Sequence, residues 1–140
     1  MYKRILVAVE HSQADRTILD HVTTLAKLTG AELLLVHVAD GWAARQYDNL
    51  KLRESEEMKE DREYLEGLRE ELSKRGLQVS VELAKGDPAR ELVRMAQTQN
   101  VDLLAMSTHG HRFIKDVILG ATVDRVRHQV SIPVLLLRAH

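Results

Sequence analysis

Val101-Asp-Leu-Leu-Ala-Met-Ser-Thr-His-Gly110 is the stretch on which the fold turns, an apolar run that ends in two hydroxyl residues, a histidine and a glycine. A run that is apolar without alternation and is closed by turn residues fits a parallel strand buried on both faces. Ile5-Leu-Val-Ala-Val9, Leu33-Leu-Leu-Val36 and Pro133-Val-Leu-Leu-Leu137 are of the same kind. Val79-Ser-Val-Glu-Leu83 alternates instead, as a strand with one wetter face does, and reads as a third strand at a sheet edge.

Helical patterns separate these runs. Ser12-Gln-Ala-Asp15 is a capping-box-like start, in which Ser12 satisfies an orphan N–H and Asp15 suits the positive helix end. Ile18, Val22, Leu25 and Ala26 follow at helical spacing, and Gly30 is a natural stop. Asp87-Pro88 supplies a cap and a first-turn proline ahead of Ala89, Leu92, Val93 and Ala96. A last helix over Val117–Val130 buries Val123, Val126 and Val130. The order βαβαβαβαβ predicts a single α/β domain over residues 1–140, with an open parallel sheet and helices on both faces. Periodicity leaves both flavodoxin-like and Rossmann-like strand orders open.

The second helix, Lys51 to Arg75, is different in composition. Of its 25 residues 16 are charged, around a stripe of Met58, Leu65, Leu68 and Leu72. The stripe covers about two heptads, short for a coiled coil, so the helix reads as a solvated amphipathic element on the sheet. Glu70/Lys74 and Glu71/Arg75 have the favourable acid-first spacing. Ala39 to Leu50, with Trp42 and Tyr47, forms the longest loop.

Bulk properties narrow the function. Lys and Arg total 20 against 21 Asp and Glu, without the basic excess of a general nucleic-acid binder. Cysteine is absent, which excludes disulfides, thiol catalysis and thiolate zinc sites and suits a reducing cytoplasm. The opening MYKRILVAVEHS is too short in apolar residues for a signal segment or a membrane span, so the expected location is cytoplasmic.

Chemistry concentrates between Ser107 and Gly120. Gly110 permits a tight turn or close ligand approach, and Gly120-Ala121-Thr122 stands at the start of the well-formed part of the last helix. Backbone N–H groups at such a start attract phosphate, and His109, His111, Arg112 and Lys115 add positive character. His109 and His111 lack carboxylates at metal-ligand spacing, and no metal site is expected. His37, inside a strand, reads as a satisfied packing residue, and His11, His21, His128 and His140 give no separate signal. No Walker, Gly-x-Gly-x2-Gly or Gly-x-Ser-x-Gly pattern is present, and Asp102 and Asp116 have no evident base partner. No catalytic residues are assigned. At most, Glu10 or His109 positions water for slow ATP hydrolysis.

The chain resembles the universal stress protein family over essentially its whole length. The matching segments are Ile5-Leu-Val-Ala-Val-Glu-His-Ser12, Leu35-Val-His-Val38, Gly86-Asp-Pro-Ala89, Asp102–Gly110, Leu119-Gly-Ala-Thr-Val-Asp-Arg-Val126 and Ser131–Arg138. The resemblance implies a five-stranded parallel sheet in the order 3-2-1-4-5 and a homodimer paired through strand 133–138. An unprotected apolar edge gives such pairing a physical motive. It also implies a site for ATP or AMP, with or without Mg, at Ala8, Val9, Glu10, Val38, Met106, Ser107, His109, Gly110, His111, Arg112, Gly120, Ala121 and Thr122. Glu10 takes the place of an aspartate near the ribose, and the Val38 backbone that of the adenine contact.

Nucleotide-binding members carry Gly-x2-Gly-x9-Gly followed by Ser or Thr. This chain keeps Gly110, the spacer and Gly120, but has Ser107 for the first glycine and Ala121 for the hydroxyl residue. Positive φ forced on Ser107 costs about 1 kcal/mol, though its hydroxyl could face phosphate. A hydroxyl bond lost at Ala121 costs about 1–3 kcal/mol. Together they are expected to weaken binding by about one to three decades, at roughly 1.4 kcal/mol per decade. The alternative expectation is a nucleotide-free dimeric adaptor with a degenerate loop, working through the charged helix or the Trp42 loop.

Overall fold

The structure, a computed structural model, describes residues 1–40, 51–108 and 116–139. The elements among them are β1 (Arg4–Ala8), α1 (Ala14–Thr29), β2 (Glu32–Asp40), α2 (Lys51–Lys74), β3 (Val79–Gly86), α3 (Pro88–Thr98), β4 (Leu103–Thr108), α4 (Asp116–Gln129) and β5 (Val134–Arg138). All strand pairs are parallel, in the order β3-β2-β1-β4-β5. The unbroken apolar runs became β1, β2, β4 and β5, and the alternating one became edge strand β3. The Trp42 and Tyr47 loop lies outside the described residues.

Alternation along the strands sorts the interior into two layers. Ile5, Val7, Leu33, Leu35, Leu103 and Ala105 face α1 and α2, packing on Ile18, Leu19, Val22, Leu65, Leu68 and Leu72. Leu6, Leu34, Val36, Leu104 and Met106 face α3 and α4, packing on Leu92, Val93, Met95, Val123 and Val126. This is why the strand runs are continuous, since each residue meets helices on whichever side it points.

The helix ends follow local chemistry. Gly30 closes α1 at φ +76, donating its N–H to the Ala26 carbonyl at 2.8 Å. Asp87 caps α3, its carboxylate accepting from the Arg90 N–H at 3.0 Å ahead of Pro88. The start of α1 departs in detail from a capping box. Gln13 occupies the cap position without a side-chain bond, and Ser12 Oγ accepts from the Ala14 N–H at 3.2 Å. On α2, the bidentate partner of Glu71 is Arg16 of α1 at 2.8 and 3.0 Å, where spacing alone pointed to Arg75.

Candidate functional site

From β1 the chain winds outward through β2 to β3, and from β4 it winds the other way to β5. The helix leaving β1 covers one face and the helix preceding β5 covers the other. Between the carboxyl ends of β1 and β4 the winding therefore reverses. In open α/β sheets that is where a crevice for ligands forms.

Several predicted site residues stand at or near these strand ends. Ala8, Val9 and Glu10 form the end of β1 and the turn after it, with Val9 buried and the Val9 N–H donating to the Val36 carbonyl at 2.8 Å. The Glu10 carboxylate accepts from Ser12 Oγ at 3.3 Å. Val38, half-buried on β2, packs on the α3 and α4 layer. Met106 and Ser107 are buried at the end of β4. His109, Gly110, His111, Arg112 and Lys115 lie outside the described residues.

The structure alters three details of the loop reading. Ser107 is an ordinary residue of β4, and the non-glycine residues with positive φ among the described ones are His11 and Asn100, so the expected strain does not arise. Its hydroxyl donates to the Ala14 carbonyl at 3.4 Å, a long bond directed at α1 instead of a free group for phosphate. Finally, α4 begins at Asp116, which makes Gly120 its fifth residue. Only the first N–H groups of a helix lack internal partners, so those of Gly120, Ala121 and Thr122 belong to the helix ladder. Ala121 is exposed and Thr122 buried, the 100° turn per residue setting them apart. Asp102 is structural, accepting from the Lys3 and Arg4 N–H groups at 2.8 and 3.1 Å beside the start of β1.

A second constellation, beside the first, was not anticipated. Asp15 is 1% exposed, and its carboxylate accepts the N–H groups of Glu10, His11 and Ser12 at 2.8, 2.9 and 3.3 Å. The Tyr64 hydroxyl of α2 donates to the same carboxylate at 2.6 Å. Burial first, then this bond, raises the Tyr64 phenol far above its ordinary range and keeps it a donor. The His11 ring stacks on Tyr64 with centroids 4.1 Å apart, and its Nδ1 lies 2.7 Å from Asp61 Oδ1. His37 Nδ1 lies 3.0 Å from the Val9 carbonyl, and its Nε2 lies 3.5 Å from Asp61 Oδ2. His37 thus fits the packing role read for it, while His11, which carried no signal, holds φ +64 in the turn. The only hint was Asp61 and Tyr64 three residues apart on α2. Among the described residues, no group of three or more His, Asp or Glu side chains is arranged to hold a metal ion.

The sequence matches the model of the Universal stress protein family over residues 1–138. The chain belongs to the universal stress protein family. A universal stress protein of Methanocaldococcus jannaschii is 28% identical over 155 aligned positions, covering 99% of this chain and 96% of that one. A solved structure of that archaeal protein superimposes with a TM-score of 0.83 at 27% identity, over 100% of this chain and 98% of the other. A universal stress protein of Archaeoglobus fulgidus, solved in complex with dAMP, shares the fold at a TM-score of 0.70 and 22% identity, over 96% and 97% of the two chains. A further universal stress protein, solved in complex with cAMP, matches at a TM-score of 0.69 and 19% identity, over 98% of this chain and 97% of the other. In this universal stress protein, no helix among the described residues is long and apolar enough to cross a membrane.

Proposed function

We propose that this universal stress protein binds an adenine nucleotide, ATP or AMP, at the carboxyl ends of β1 and β4 and acts as a homodimeric stress-response regulator in the cytoplasm. The observation that carries this reading is the reversal of winding between adjacent β1 and β4, with Glu10 on one lip and Ser107 and Thr108 on the other. Two fold relatives were solved with adenine nucleotides, dAMP and cAMP, which supports the same ligand class here. In this reading Ala8, Val9, Glu10, Val38 and Met106 frame the ribose and base. Ser107, His109, Gly110, His111, Arg112, Gly120, Ala121 and Thr122 are the residues this reading assigns to the phosphates, with Mg accompanying ATP. The arrangement binds without efficient catalysis.

A second reading is a nucleotide-free dimeric adaptor. The Ser107 hydroxyl engaged by Ala14, and Gly120 inside α4, favour it. Mass action separates the two. At nucleotide about tenfold above Kd, binding to the native state raises Tm by about 3–6 °C, and Gly110→Val abolishes the rise. No shift with millimolar ATP and Mg or with AMP, together with no nucleotide co-purifying by mass spectrometry, leaves the adaptor.

A further inference from the structure

His37 stands between two groups that can only accept hydrogen bonds. On one side is the Val9 carbonyl, 3.0 Å from Nδ1, and on the other the Asp61 carboxylate, 3.5 Å from Nε2. A neutral imidazole carries one N–H, so it can serve one of them; the imidazolium serves both. Asp61 also receives the His11 ring at 2.7 Å, so one carboxylate of α2 joins the ends of β1 and β2. The Asp61 side chain is 17% exposed, as is that of His37, which limits solvent screening of the bridge.

We infer that Asp61 is a positioning residue for the turn Glu10–Ser12 at the nucleotide crevice, and that its hold depends on a proton on His37. With the proton in place, His37 and His11 dock α2 on the strand ends, and His11 keeps its left-handed conformation under Tyr64. Without it, the His37 Nε2 lone pair faces the Asp61 oxygen, the contact becomes repulsive, and α2 loosens from the turn. Other charged and titratable groups surround the pair. Glu10 and Asp15 lie on the turn side, and Tyr64 and, one turn before Asp61, Glu57 lie on α2. Lys85 follows by two residues the β3 position Leu83 that is paired with His37. Arg16 and Glu71 close the far side of Tyr64 through their ion pair. Among these, His11 and His37 are the side chains of the type that changes charge between about pH 5 and 8. The consequence for affinity rests on the nucleotide reading above; the bridge itself does not.

The test uses the full chain from about pH 5.5 to 8.5, the range in which histidine titrates. Imidazole 15N spectra should show His37 doubly protonated at the acid end and protonated on Nδ1 alone at the basic end. The amide resonances of Glu10, His11 and Ser12 should move with that change, and move less in Asp61→Asn and His37→Gln. Both variants are near-isosteric, and circular dichroism checks that they fold. AMP affinity measured by calorimetry should fall about fivefold from the acid to the basic end in the native chain, and less than about twofold in Asp61→Asn. A His37 ring with a single proton throughout, or turn amides that respond to pH equally in Asp61→Asn, overturns the inference. AMP binding that is tight and indifferent to pH overturns it too, while the nucleotide reading stands. No AMP binding at any pH removes the nucleotide reading, and the imidazole and amide spectra still decide the bridge.

Discussion

Asp15 is a carboxylate almost sealed from water, yet it sits without strain because three N–H groups and a phenol meet its lone pairs. Its partner Tyr64 carries the consequence for pH. The folded phenol titrates above the ordinary value of 10.0, so the stability from its hydrogen bond is whole below that pH and declines as pH rises past it. Alkaline titration of Tm should therefore steepen beyond about pH 10 in the native chain and lose that component in Tyr64→Phe, which at neutral pH costs about 1–3 kcal/mol for the unmet carboxylate. Equal alkaline slopes for the two proteins would count against this account. At this scale the sequence was only partly legible. Ser12 and Asp15 announced a helix start because capping is local chemistry. That Asp61, 50 positions after His11, would reach its ring depends on how α2 lies over β1 and β2, and no short-range pattern encodes that. The same limit explains Ser107, whose partner is the carbonyl of Ala14, 93 positions away.

Among the elements, α2 shows how little apolar surface is needed to dock a highly charged helix. Leu65, Leu68 and Leu72 are 1%, 4% and 0% exposed, while their charged neighbours stay wet. Leu72→Ala should cost about 2–5 kcal/mol, and Glu70→Gln on the solvent face less than about 0.5 kcal/mol, both read from denaturant unfolding. Comparable losses for the two substitutions would refute the assignment of the buried stripe. The strands were legible because burial on both faces leaves continuous apolar runs. The span of α4 was legible to one residue at each end, Val117–Val130 against Asp116–Gln129, whereas Gly120 was read as the start of its well-formed part and lies a full turn inside it. On β5, Leu136 is 39% exposed along an unpaired edge, which is the feature a second copy would cover in the proposed dimer.

At the scale of the molecule, carboxylates anchor elements to one another and set the acid limit. The Arg125 guanidinium of α4, 2.8 Å away, holds Asp87 below the usual carboxylate range against partial burial, with help from the Arg90 N–H. Glu71 is lowered in the same way by Arg16. Groups with depressed values contribute stability that is complete above about pH 4 and is lost as pH falls through their lower folded values. Both pairs are solvent-exposed, so each contributes less than about 1 kcal/mol. Tm should drop less steeply below about pH 4 in Asp87→Asn than in the native chain, once the neutral-pH loss is subtracted. The strand order itself could be reached through family resemblance and not through periodicity, because hydrophobic runs report burial and not neighbours. The pairing of the sheet adds one more consequence. Strands β2 and β3 are laced from Leu33–Val79 to Asp40–Gly86, whereas β1 and β4 meet only at Ile5–Leu103, Leu6–Leu104 and Val7–Ala105. The β1–β4 ladder is thus the shortest in the sheet, and the proposed ligand would lie at its carboxyl end. Fewer backbone bonds hold that line than any other in the sheet, so a ligand bridging its two lips would add ties where the ladder itself supplies fewest.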